Sequence, residues 1–380
     1  MKIAILYDTL INIGGAERVV IELANELGAD IITSGYDKKA DNWLPIKGKV
    51  IDIGNAFATS IKPLGVLIEA PIRFMLNRIK IADMRYDLYI YCGFTSIYGS
   101  SPNTHNIWYC LTPNRMLYDL YQRKISRGSL FSRIFFFFNN LLFHGRDQRI
   151  VKQNLRNIVS QTAVVQKRVM QYYGLSSDVI YAPIHTDHYH FKQIGDYYMT
   201  AARLYPEKRI SLIAEAFAKM PDQKLVIAGD GPEKPKIMEI IRHAPNITLK
   251  SNVPEAELID LYANCRATIY MPVNEDYGLI PLEGMASGKM CIAVNEGGLK
   301  ETVVQNVTGY HIEPTIQDII NTVTSFDVEK AISQVDDCIA HAKKYDIQMV
   351  IKQWKELINV IPDKSQHDPG SSLDSGSSPE

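Results

Sequence analysis

Lys2 to Tyr7 (KIAILY) is an apolar run in which polar and apolar positions do not alternate. A strand covered on one face alternates, so a run like this one belongs to a strand buried on both faces of a parallel sheet. A turn from Ile11 to Gly15 follows. Ala16, Val19, Val20, Leu23, Ala24 and Leu27 then recur at helical spacing, with Gly28 placed to cap the helix. The pattern of buried strand, turn and amphipathic helix returns along the chain. Ile31-Ile32, Val50 to Ile53, Leu88 to Tyr91, Ile107 to Cys110, Ile158-Val159 and Val179 to Tyr181 read as further strands of a first series. Tyr197 to Ala201, Leu225 to Ala228, Ile247 to Leu249, Ala267 to Met271 and Cys291 to Val294 form a second. Strand–helix alternation of this kind predicts an α/β protein with two consecutive doubly wound, Rossmann-like units. The expected division is 1–190, 195–345, a C-terminal helix over 346–362 anchored by Trp354, and a Ser/Gly/Asp-rich disordered tail over 364–380. Ala182 to Gly195 carries no clear period and reads as the connection.

Composition narrows the function classes. Net charge is −1, which argues against a general nucleic-acid binder. The five cysteines are scattered with no C-x-x-C pair, which fits a reducing compartment better than a zinc site or a disulfide framework. MKIAILYD lacks signal-peptide architecture, and no apolar run reaches the roughly eighteen residues of a membrane span. The Asn-x-Thr sequons at Asn246 and Asn306 read as chance matches.

Four constellations carry candidate chemistry. Gly14-Gly15-Ala16-Glu17 follows the first strand, where two glycines permit close backbone approach and a helix N-terminus favours an anion. The G-x-G-x-x-G of a dinucleotide fold is absent, which counts against a dehydrogenase, and an ordinary tight turn is the plain alternative. Arg203 and Lys208 lie after the first strand of the second series and could neutralise a pyrophosphate; otherwise they are solvated cations near Glu207. Gly229-Asp230-Gly231 follows the next strand, where glycines let a nucleotide lie close; alone it is as well read as a turn. The fourth is Asn274 to Thr302. Glu275 and Glu283 flank a turn, and Pro281 suits a helix start, which puts Glu283 in the first helical turn. There a carboxylate is favoured by the helix dipole alone, or it binds a ribose diol. The amides of Gly278, Leu279 and Ile280 would face an anion.

In this order the motifs resemble the retaining glycosyltransferases of family 4, which have the GT-B fold. The matching stretches are GGAERV at Gly14, ARLYPEKRI at Ala202, GDGPE at Gly229, EDYGLIPLEGMASGK at Glu275 and NEGGLKET at Asn295. YCLTPNRMLYD at Tyr109 and VIYAPIHTDHYHF at Val179 are similar to segments of its mannosyltransferase-like members. The resemblance covers roughly residues 1 to 360. It implies two parallel-sheet domains facing a cleft, with the C-terminal helix returning toward the N-terminal domain. A nucleoside-diphosphate sugar is implied as donor, with no cofactor and no metal. Arg203 and Lys208 would hold the leaving diphosphate, and Glu275 would contact the donor sugar. Glu283 would bind the ribose, and Gly15 would close onto the pyrophosphate. The implied acceptor is a lipid-linked or cell-surface glycan, GDP-mannose is the first donor expected, and UDP-sugars remain open. An epimerase or phosphorylase of the same fold, or an inactive scaffold, are the other readings.

One position departs from the family. Leu111 stands where its motif has a histidine that reaches the donor sugar near the 6-position. Either the pocket is altered, for a sugar lacking a 6-hydroxyl, or His105 or another residue substitutes, or activity is low. Leu130 to Phe143 (LFSRIFFFFNNLLF) is the most apolar stretch, bordered by Arg123, Lys124, Arg127, Arg133, Arg146, Arg149 and Lys152. It reads as an interfacial helix over residues 123–152 on anionic lipid, or as a buried helix or dimer contact. The expected location is the cytoplasmic membrane face, with no nucleic-acid partner.

Overall fold

A computed structural model describes residues 1–11, 14–38, 44–54 and 65–361. The expectation for the 364–380 tail and the side chains of Arg123 and Arg127 lie outside the described residues. Two compact units emerge. The first holds Met1–Val159, Val169–Ser177 and the chain from Trp354; the second holds Ser160–Arg168 and Asp178–Gln353. The chain therefore passes between them at several points rather than at one connection.

The first sheet contains β1 (Ile3–Tyr7), β2 (Asp30–Thr33), β3 (Val50–Asp52), β4 (Leu88–Tyr91), β5 (Asn106–Cys110), β6 (Asn157–Ser160) and β7 (Asp178–Val179). Its order is β3-β2-β1-β4-β5-β6-β7. The pairs from β3 through β5 are parallel, with Ile5 opposite both Ile31 and Ile90. All residues of β1, β4 and β5 are buried, as the unalternating runs require. The helix Gly15–Leu27 ends on Gly28 at φ 62°, whose N–H donates to Ala24 O. Trp354, in the last helix (Ile347–Val360), is fully buried and meets Tyr109 edge-on at 4.9 Å within the first unit.

The second sheet contains β8 (Tyr197–Ala201), β9 (Lys224–Ala228), β10 (Ile247–Lys250), β11 (Thr268–Tyr270), β12 (Cys291–Val294) and β13 (Gly309–Ile312). Its order is β10-β9-β8-β11-β12-β13, all parallel. The sequence reading passed over β13, because GYHI mixes a glycine and a histidine with apolar residues and lies half-buried at the sheet edge. In both sheets the strand order reverses beside the first strand, between β1 and β4 and between β8 and β11. Crevices for ligands open at such points, outside the carboxyl ends of the strands.

In the first unit this crevice is occupied by Asp8. Its carboxylate accepts hydrogen bonds from Phe94 N (3.2 Å), Thr95 N (2.9 Å) and Ser96 N (2.8 Å). Burial pushes the Asp8 carboxyl up, and these donors oppose the shift. All five cysteines are buried and none forms a disulfide, and burial raises the thiols of Cys265, Cys291 and Cys338 to about 12.

Candidate active site

In the second unit the loop after β8 carries Arg203 and Lys208, and the loop after β11 carries Glu275. Lys208 Nζ donates to Glu275 Oε2 at 2.7 Å and to Tyr270 OH at 3.2 Å. The pair thus spans the reversal point between β8 and β11. Lys208 pairs with Glu275 rather than with its neighbour Glu207, whose carbonyl instead accepts from Val273 N at 2.8 Å. Arg203 is exposed, with its guanidinium 5.6 Å from the Tyr205 ring centroid.

Several contacts fix the Glu275 loop. Arg209 donates to Met271 O, to Pro272 O (both 3.3 Å) and to Glu296 Oε1 (3.0 Å), while Glu296 Oε2 accepts from Asn274 N at 2.9 Å. Gly298 N donates to Glu275 O at 2.8 Å. Arg168 forms an ion pair with Asp276, and Tyr277 OH donates to Ala182 O at 2.7 Å. Gly278 has φ 93°, a left-handed value that a side chain resists, and a Cβ there would meet Leu299 at 2.6 Å.

The following helix is Leu279–Ala286 with Gly278 as its N-cap. Gly278, Leu279 and Ile280 are then the cap and the first two helical residues, whose N–H groups have no intrahelical acceptor. Pro281 is third in the helix rather than first. Glu283 is fifth, beyond the first turn where it was expected. The helix dipole falls off within that turn, so it is a weak reason for a carboxylate here. Glu283 is instead buried and accepts a hydrogen bond from Tyr262 OH at 2.9 Å. Burial, and then Glu283, push the Tyr262 hydroxyl far above its ordinary value. The Tyr270 hydroxyl is raised by burial first, then by the charges of Glu275 and Glu283, which places both acids around it.

Gly229 and Gly231 have a structural reason of their own. A Cβ on Gly229 would fall 2.0 Å from Ala202 O, and Leu204 N donates to Asp230 O at 2.9 Å. The glycines let the loops after β8 and β9 pack backbone to backbone, which also sets the base of the Arg203 loop. In the first unit, Gly14 N donates to Glu17 Oε2 and Tyr7 OH donates to Glu17 Oε1, both at 2.9 Å. Glu17 therefore caps the Gly14-Gly15 turn, and one of its amides is already engaged.

The structure overturns one proposal for Leu111. His105 directly precedes β5 and Leu111 directly follows it. Six residue steps along the strand separate them by roughly 20 Å, so His105 cannot substitute for a histidine at position 111. His105 Nδ1 instead lies 3.2 Å from Asp87 O, and Leu111 is buried.

Tyr270, Tyr262, Arg209 and Glu296 were not identified from the sequence. Both tyrosines sit in apolar runs that read as core, and nothing in spacing distinguishes their hydroxyls. Arg209 and Glu296 are 87 positions apart.

Residues 190–345 match the family model described as Glycosyl transferases group 1. The α-1,3/1,6-mannosyltransferase ALG2 of Dictyostelium discoideum is 27% identical, over 96% of this chain and 98% of its own length. ALG2 of Candida glabrata is 24% identical over 80% of this chain and 78% of its own. Among solved structures, Anabaena HepE in complex with UDP and glucose superimposes with a TM-score of 0.73 at 17% identity, covering 95% of this chain and 100% of that one. Sucrose-phosphate synthase from Thermosynechococcus elongatus gives a TM-score of 0.76 at 14% identity, covering 94% and 98%. These likenesses establish the architecture of two Rossmann-like units as the GT-B fold. The group 1 model matches within the second unit, and the two ALG2 mannosyltransferases align over 96% and 80% of the chain, so the protein is similar to group 1 glycosyltransferases of the mannosyltransferase kind.

Proposed function

We propose that the protein is a group 1 glycosyltransferase that moves a hexose from a nucleoside-diphosphate sugar to a lipid-linked or cell-surface glycan, with retention of configuration and without a metal. GDP-mannose is the first donor candidate. The observation that carries the reading is the Lys208–Glu275 pair at 2.7 Å, set at the reversal point of the second sheet with Tyr270 OH beside it. In the transfer, the bond between the sugar's anomeric carbon and the diphosphate oxygen breaks as an acceptor oxygen bonds to that carbon, and the acceptor's hydroxyl proton passes to the leaving diphosphate. Negative charge grows on the diphosphate. Lys208 has three N–H donors, two of which Glu275 and Tyr270 orient, and the third is available to a phosphate oxygen. Arg203 adds a planar fork for the same group. Donors held in place before charge develops stabilise the transition state more than the bound substrate.

Glu275 then faces the donor sugar, the amides of Gly278, Leu279 and Ile280 flank sugar and phosphate, and Glu283 takes the ribose. A carboxylate is an acceptor on both oxygens, which is the chemistry a ribose diol calls for. Gly229 and Gly231 remain donor-side backbone positions in this reading. Thermal shift against GDP-, UDP-, dTDP- and ADP-sugars, followed by NMR of the product anomer with and without EDTA, tests it. A UDP-sugar is the main competing donor, given the UDP in HepE. Failure of every nucleotide sugar to raise the melting temperature would reject the donor assignment, and an inverted anomer would reject retention.

The same reading includes peripheral docking on the cytoplasmic membrane face. Among the described residues no helix is long and apolar enough to cross a membrane. Helix Leu130–Asn154 buries Phe136, Asn139, Phe143, Asp147 and Val151 on one face. Leu130, Phe131, Ile134, Phe137, Phe138, Leu141 and Leu142 lie exposed on the other. Exposed Arg133, Arg146, Arg149 and Lys152 supply charge for an anionic surface. Flotation with phosphatidylserine vesicles at low salt should carry the chain upward, and Phe137→Glu/Phe138→Glu should abolish it. A parent chain that stays unbound refutes the docking.

A further inference from the structure

We propose that His185, Asp187 and His188 form a binding site for a divalent transition-metal ion of the zinc class, through which no step of sugar transfer passes. They lie in and beside the short turn Thr186–His188. One ligand atom from each residue lies within 4.8 Å of the other two. The His185 and His188 rings stack with centroids 4.7 Å apart and planes 10° from parallel. His185 Nδ1 is 3.9 Å from Asp187 Oδ1. A tetrahedral ion at roughly 2.0–2.1 Å from each ligand sets ligand atoms about 3.3 Å apart. To bind one ion the ligand atoms must close by up to about 1.5 Å and both imidazoles must rotate out of their stack, since the in-plane lone pairs of parallel rings do not converge; side-chain torsions supply both changes.

The backbone beneath the three side chains is already fixed. Thr186 donates from both its N–H and its hydroxyl to Asp346 Oδ2. Ile184 N donates to Tyr345 O, and Ile347 N donates to Ile184 O, each at 2.9 Å. His188 N and Tyr189 N close the turn on His185 O and Thr186 O at 3.3 Å. Only side-chain torsions have to adjust on binding, so little ordering of the chain opposes it. Two imidazoles and one carboxylate suit Zn²⁺, Ni²⁺ or Cu²⁺, whereas Mg²⁺ and Ca²⁺ favour all-oxygen sets. Asp187 and His188 are exposed, so the remaining coordination positions face water. An ion there ties residues 185 and 188 across the turn that leads into the second sheet.

The test uses the full chain without an affinity tag. Zn²⁺ is titrated in competition with a chromophoric chelator, with Mg²⁺ as the comparison ion, and X-ray absorption reports the ligands. One zinc per chain with two imidazole ligands is expected, and no uptake of Mg²⁺. Asp187→Asn and His188→Ala should each weaken zinc binding by about tenfold or more. Circular dichroism confirms that both variants remain folded. Absence of zinc uptake at about 100 µM free ion, or wild-type affinity in both variants, overturns the assignment.

Discussion

Replacing Lys208 by methionine separates a catalytic cation from a surface ion pair. The substitution keeps an apolar stem of similar length and removes the ammonium. At the observed 2.7 Å, with an effective dielectric of about 20, the attraction between Lys208 and Glu275 is about 6 kcal/mol before hydration is considered. Most of this is offset by the water both groups give up. The side chains keep 15% and 28% exposure, so solvent still screens them and the net contribution to folding is about 1 kcal/mol. A loss of that size lowers the melting temperature by only about 2–4 °C. Catalysis should respond differently. Removing one donor aimed at charge that develops in the transition state lowers kcat by about 10²–10³. Tyr270 and Glu275 remain in place, so the donor KM should change much less than kcat. The assay is release of nucleoside diphosphate in the presence of acceptor, alongside a thermal melt. A Lys208→Met enzyme turning over within about threefold of the parent would refute the reasoning, because the ammonium would then be a structural partner of Glu275 only.

Tyr262→Phe removes the hydroxyl that donates to the buried carboxylate of Glu283 at Oε2, 2.9 Å away. Denaturant unfolding should show a loss of about 1–3 kcal/mol, and donor KM should rise; no change in either would mean that Tyr262 does not hold Glu283 in place. Lys289 is fully buried, and burial pushes its ammonium down to about 8 from 10.5. Between those pH values the unfolded chain carries a proton that the folded chain lacks, so stability should rise with pH across the window. Unfolding free energy measured from pH 8 to 10.5 should climb by up to about 3 kcal/mol more in the parent than in Lys289→Met, and parallel profiles would contradict this. Leu111→His should shift donor preference toward sugars with a 6-hydroxyl, and identical rates across a donor panel in both proteins would remove position 111 from the donor pocket.

Much of the fold was legible because burial on both faces leaves a mark in the sequence. The β1, β4, β8 and β12 runs are apolar without alternation, and the helix after β1 stops at a glycine. The loops after β8 and β11 were legible as candidate sites because their charged residues follow buried strands. Edge elements were not. β13 is half-buried, so its residues face no strict apolar requirement and carry no pattern. The ordinal position of Glu283 in its helix was misjudged for a related reason. Proline tolerates any of the first helical positions, since none of those N–H groups has an intrahelical acceptor.

What the chain alone determined is the alternation of buried strands and amphipathic helices, and the residue types that follow the strands. These depend on local periodicity, which a linear sequence records. Only the tertiary structure decided which of those residues meet. Lys208 and Glu275 are 67 positions apart, and Tyr262 and Glu283 are 21 apart. Strand order brings β8 beside β11, and no local signal specifies that adjacency. The roles of Tyr270 and Tyr262 have the same origin. Each reads as core until the neighbouring strand or helix brings a carboxylate to its hydroxyl.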